Sequence, residues 1–236
     1  YPRDMTDYLI HAVRDLPKVS HYLHVPAQHG SDDVLKRMKR GYTIGQYMEM
    51  LDRLKDAIPH AALSSDFIVG FCGETDKEFS LSLDLVKTVK FKNSFIFKYS
   101  PRPGTKAFDT QSDDVPESVK KERNRLLQEA QSVASLEGNL RFVGSRQQVL
   151  VEGLSTREER RAVNPGPDGF AQLTGRTMCD RIVVFDAPLR LIGRMVDIDI
   201  TSAGSWSLAG EVADGLADAV PLDYLEKQNP AVHQIK

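Results

Sequence analysis

Hydrophobic and polar positions follow two different rhythms along this chain, and the change between them divides it. From residue 21 to about 143, short apolar runs alternate with stretches of helical period. "HYLHVP" (21–26) predicts a strand, and Ser31 stands as the N-cap of a helix through "DDVLKRMK". Thr43 with Gln46 three positions on has the spacing of a capping box. Behind it, Ile44, Tyr47, Met48, Leu51, Leu54 and Ile58 recur at the period of one helix face. "ALSSDFIVG" predicts the next strand. Thr75 and Glu78 repeat the capping box, and Phe79, Leu83, Val86 and Val89 supply that helix with an inward stripe. "NSFIFKYS" (93–100) predicts a third strand, followed by the turn "PRPGT". Asp114, Pro116 and Glu117 then open a long helix whose expected inward residues are Val119, Leu126, Leu127, Ala130 and Val133. Ahead of all these, "MTDYLIHAV" reads as a helix. Strand–helix alternation of this kind predicts an α/β unit over residues 1–143, on a parallel sheet that is open or closed into a barrel.

After about residue 145 the runs shorten. "QQVLVEG", "AQLTGRT", "RIVVFD", "GRMVDIDIT" and "WSLAGEV" are Val- and Ile-rich segments separated by Gly, Pro and Ser, with no helix expected between them. They predict a compact all-β barrel of the oligonucleotide-binding size class over residues 146–213. The tail, 214–236, has little periodicity and is expected to fray.

Composition narrows the class only a little. Of 236 residues, 41% are hydrophobic and 27% charged, ordinary for a globular protein. No apolar run approaches the roughly 18–20 residues of a membrane span, and two cysteines, Cys72 and Cys179, are too few for a disulfide framework. The expectation is a cytoplasmic protein without a membrane partner. The net charge of −2 neither marks nor excludes nucleic-acid binding. Residues 146–213 hold eight Arg against nine Asp or Glu, so RNA contact there must come from local placement of Arg157, Arg160, Arg161, Arg176 and Arg181. The chain opens at Tyr1 on a helix with no strand before it, which predicts a piece of a longer protein.

Ligands of parallel α/β units collect at the C-terminal ends of the strands. Three loops qualify: "PAQHGS", "GFCGET" and "SPRPGT". The second has glycines at a helix start, as anion sites do, but lacks a phosphate-loop motif and places Glu74 where a phosphate would sit. It reads as a tight strand-to-helix turn with Glu74 favourable at the helix dipole. Neither cysteine has a second at ligand spacing, so no local zinc or iron–sulfur site is expected. His29 is expected to be a solvated turn histidine. Gln28 and Ser31 offer neutral hydrogen bonds suited to a ribose or an amino-acid group, or serve only as turn and cap. "KRMKRGY" sets Lys36, Arg37, Lys39 and Arg40 beside Tyr42, a combination that suits an RNA backbone and a stacked base, or a solvated helix end.

Taken together, "YLHVPAQHGSDDVLKRMKRGYT", "SSDFIVGFCGETDKEF" and "FIFKYSPRPGT" resemble the radical S-adenosylmethionine methylthiotransferases, and "LVEG" through "LIGRMVDIDIT" resembles their TRAM domain, an RNA-binding β-barrel. "SSDFIVGF" and "KYSPRPGT" are closer to the MiaB-type branch, which methylthiolates C2 of N6-isopentenyladenosine beside the tRNA anticodon, than to the branch acting on a ribosomal protein. A non-catalytic RNA-binding protein is the remaining alternative. The resemblance implies a partial (β/α) barrel followed by the TRAM barrel. It also implies S-adenosylmethionine bound by Gln28, Ser31, Ile68, Val69, Gly70, Ser100 and Arg102, and tRNA bound by Lys36, Arg37, Arg40, Arg157, Arg160, Arg176 and Arg181. It further implies two [4Fe–4S] clusters fed by an electron donor, in a monomer. Their cysteines are absent from this chain and expected upstream of Tyr1, so the chain alone is expected to ligate no metal and to be inactive. At position 72 the family commonly has proline, and Cys72 reads as a bystander.

Overall fold

The computed structural model describes residues 2–161, 169–213 and 220–221. By their internal contacts the residues divide into two units, 1–138 and 139–236.

After a 3-10 turn at Pro2–Asp4, the first unit enters α1 (Asp7–Asp15), which Thr6 caps. It continues through β1 (Tyr22–His24), α2 (Asp32–Arg37), α3 (Ile44–Ala57), β2 (Ala62–Val69), α4 (Asp76–Val89), β3 (Asn93–Lys98), α5 (Lys106–Thr110) and α6 (Glu117–Leu140). The strands form a parallel sheet in the order β1-β2-β3. β1 is shorter than the expected 21–26, because Pro26 has no N–H to give the ladder. Pairing resumes at Gln28, which bridges Phe67. Both capping boxes form as their spacing predicts, Thr43 with Gln46 and Thr75 with Glu78.

Alternation along β2 separates two faces. Leu63, Phe67 and Val69 enter a core with Ile10, Tyr47, Leu51, Leu54, Val86, Phe91 and Leu127. Burying Phe67 completely contributes about 1.5–3 kcal/mol. Asp66 and Ile68 lie on the opposite face in register with Phe95 and Phe97, whose rings are half exposed. On α6, Val133 is exposed rather than inward. The buried side of that helix runs instead through Lys120, Arg123, Leu127, Gln131 and Ala134, spaced three or four apart.

The second unit is a barrel of β4 (Arg146–Leu154), β5 (Phe170–Thr177), β6 (Ile182–Pro188), β7 (Arg194–Ala203) and β8 (Leu208–Val212). β4 pairs with both β5 and β7, so the order β4-β5-β6-β8-β7 closes on itself, with only β6–β8 parallel. Val149, Val151, Leu173, Val183, Phe185, Ile198 and Ile200 fill it. The expectation of no helix between these strands fails: α7 (Thr156–Arg161) follows β4, with Ser155 Oγ accepting from the Glu158 N–H. Within the tail, β9 (Val220–Pro221) pairs with β7, and the other tail residues lie outside those described.

Candidate functional site

The first two strand-end loops meet around one carboxylate. Glu74 accepts from the Gly70 N–H, and its other oxygen lies 2.8 Å from His29 Nε2. Arg123 Nη1, from α6, donates to Glu74 Oε2 at 2.9 Å and to the Glu74 carbonyl at 3.0 Å, while Nη2 reaches Asp76. His29 is wholly buried, not a solvated turn residue, and Glu74, just ahead of the α4 cap, is buried with it in this network. The Ser31 N–H donates to His29 Nδ1 at 3.0 Å, which leaves the ring proton on Nε2 for Glu74. The pairing of Glu74 with Arg123 balances a charge that burial would otherwise penalise. Lys120, also buried on α6, donates to the Tyr99 carbonyl and to Asp113, so the third loop is tied to the same helix.

Two backbone features brace this region. Gly70 has φ +71°, and a Cβ there would collide with the Lys120 side chain. Gln28 takes φ +67° although it is not glycine, a conformation held by its N–H to Asp66 O and its carbonyl accepting from Ile68 N–H. Its side-chain oxygen accepts from Arg40 Nη2 at 3.1 Å.

Ile68, Ser100 and Arg102 share a cleft of about 540 Å³ with Arg37 and Arg40. Phe97 and Tyr99 wall it, and burial together with the Cys72 thiol pushes the Tyr99 hydroxyl up to about 12, so it remains a donor at neutral pH. Val69 faces the core, Ser31 is buried as the cap of α2, and Lys36 is exposed outside the cleft. Tyr42 is committed to the fold: its hydroxyl donates to the Pro26 and Ala27 carbonyls and its ring stacks on Tyr47. Cys72 is buried beside Val34 and Phe71. Among the described residues no group of three His, Cys, Asp or Glu is placed to hold a metal ion, and no helix is long and apolar enough to cross a membrane.

In the β unit, Arg157 is exposed on α7, and the side chain of Arg160 lies outside the described residues. Arg176 sits between Glu152 and Asp180. Arg181 lies over the Phe142 ring and donates to Asn139 Oδ1 and Cys179 Sγ, so both guanidinium groups have partners inside the unit.

The sequence reading missed His29, Glu74, Lys120 and Arg123. One signal was available: the stripe through Leu127, extended backward at helical period, lands on Arg123 and Lys120.

Residues 3–86 match the radical SAM superfamily and residues 140–213 match the TRAM domain. The chain thus carries a radical SAM match followed by a TRAM match. It is 53% identical over 212 residues to the tRNA-2-methylthio-N(6)-dimethylallyladenosine synthase of Rhodopirellula baltica, covering 90% of this chain and 44% of that protein. The protein of the same name from Acidovorax sp. is 45% identical over 218 residues, covering 91% and 45%. That of Acetivibrio thermocellus is 42% identical over 212 residues, covering 90% and 42%. The chain thus spans less than half the length of these relatives.

Proposed function

We propose that this chain is the cofactor-holding and RNA-holding part of an enzyme that adds a methylthio group at C2 of N6-isopentenyladenosine beside the tRNA anticodon. The observation that carries the reading is similarity to tRNA methylthiotransferases along 90% of the chain, through both domains. On this reading the sheet is part of a (β/α) barrel, and the protein works as a cytoplasmic monomer served by an electron donor.

S-Adenosylmethionine is assigned to the strand-end loops. Ile68 offers an apolar wall for the adenine, Gln28 and Ser100 offer hydrogen bonds, and Arg102 offers a cation for the carboxylate. Val69 and Gly70 contribute backbone rather than side chain, and Ser31 shapes the first loop as a cap. When bound, this cofactor supplies the methyl group and the source of the hydrogen-abstracting radical. The described residues do not fit an iron–sulfur cluster, since Cys72 and Cys179 are buried separately in the two units. The part of this chain is therefore to grip, orient and shield. His29, Glu74 and Arg123 position the loops without touching the cofactor themselves.

Mass spectrometry of nucleosides and ribosomal proteins from cells lacking the gene tests the reading. Loss of the 2-methylthio group from tRNA adenosine is expected, with ribosomal proteins unchanged. Loss of a ribosomal-protein modification with intact tRNA would transfer the activity to the protein-modifying branch. Loss of neither would leave a non-catalytic RNA-binding protein.

A further inference from the structure

We propose that the cations of the cleft beside the third strand-end loop, other than Arg102, which is given to the cofactor, form a phosphate clamp for the single-stranded RNA carrying the target nucleoside. The inference rests on the tRNA reading above and assigns the RNA a place on the α/β unit.

Among the described residues six cations line the cleft, Arg37, Lys39, Arg40, Lys98, Arg102 and Lys106, and no carboxylate does. Two are neutralised from outside, Arg37 by Glu78 and Lys98 by Glu117. Arg40 is held in place by a neutral partner, the Gln28 amide oxygen, and so keeps its charge for the cleft. The Nε atoms of Arg37 and Arg40 are both buried with no hydrogen-bond partner. In a chain of net charge −2, this concentration in one concavity is a matter of placement, not of composition. The carboxylate of one S-adenosylmethionine needs a single cation, whereas successive phosphates need several. Phe97, 53% exposed on the open face of the sheet, adds a surface on which a base can stack.

Lys39 strengthens the assignment. It follows α2 at φ +58°, where glycine is the ordinary residue. The turn around it is closed by the Arg40 N–H donating to the Leu35 carbonyl and the Met38 N–H to Val34. The turn thus sets a lysine, rather than the glycine such a position favours, in the lining of the cleft.

The test uses the full-length protein, an anticodon stem-loop RNA as probe, and the variants Lys39→Gly, Lys106→Gln and the pair. Neither residue is assigned to the cofactor. Lys39→Gly is expected to melt no lower than the parent, since it relieves the left-handed backbone. In a salt titration the slope of log affinity against log salt is expected to fall by about 0.7 for each cation removed, with S-adenosylmethionine affinity unchanged. RNA binding with an unchanged slope in the double variant would overturn the clamp alone, leaving the tRNA reading intact. A fall in cofactor affinity without a change in slope would make Lys39 and Lys106 part of the cofactor site and overturn the clamp too. If the parent protein ignores RNA but binds a ribosomal-protein segment, the tRNA reading fails, and the clamp with it.

Discussion

His29 and Glu74 stand 45 residues apart in sequence, yet their side chains meet at 2.8 Å with neither exposed to solvent. The contact joins the first strand-end loop to the second, and Arg123 joins both to α6. Glu74→Gln would leave the Arg123 cation buried without its main counter-charge and set amide hydrogens against other donors. Unfolding in urea is expected to show a loss of about 3–5 kcal/mol, the usual effect of breaking a buried pair. Replacing Arg123 as well should recover part of that loss, as residues in one network couple. A deficit under about 1 kcal/mol would show the pair to be incidental.

Gly70 presents a steric prediction. Gly70→Ala must place a Cβ at positive φ and into the Lys120 stem, which cannot swing away because its ammonium is tied to Asp113 and the Tyr99 carbonyl. The expected loss is about 2–4 kcal/mol, read from thermal unfolding. Lys120→Ala in the same background should restore part of it by removing the collision.

Acid should act through Glu78. Burial opposes its ionisation, but hydrogen bonds from Arg37 and from the Thr75 cap outweigh this and hold the carboxyl at about 2, below its usual 4.5. A depressed folded-state value means the unfolded chain takes up the proton first. The contribution is therefore complete above about pH 4.5 and is lost as the pH falls toward 2. It amounts to at most about 3 kcal/mol. Stability curves of the parent and Glu78→Gln should converge across that window. Parallel curves would contradict the assignment.

Trp206 is the chain's one tryptophan and is 75% exposed in the turn between β7 and β8. Two hydrogen bonds close the turn: Gly204 N–H donates to Ser207 O at 2.8 Å, and Asn139 Nδ2 donates to Gly204 O at 2.8 Å. Native emission should already be red-shifted, with acrylamide quenching close to that of the unfolded chain. Bound tRNA should protect the ring if this side of the barrel stacks bases. Quenching unaffected by tRNA would exclude Trp206 from the RNA surface.

What the sequence by itself determined is what a few neighbouring residues can encode. Thr43 with Gln46 and Thr75 with Glu78 close their boxes within three positions, and apolar periods set strands and helices nearly where they stand. The three loops, their common sheet end and the likeness to methylthiotransferases were legible from the same local patterns. Tertiary structure alone decided the rest. Only the packing of α6 brings Arg123 to a carboxylate 49 residues away, and only barrel closure sets β6 beside β8 in parallel. Lys120 and Arg123 look like solvated helix positions until the fold supplies Asp113 and Glu74, because a buried charge is stable only with a partner the fold brings to it. Local hydrogen bonds and periodicity are written in consecutive residues. The neutralisation of buried charge is a property of the assembled chain.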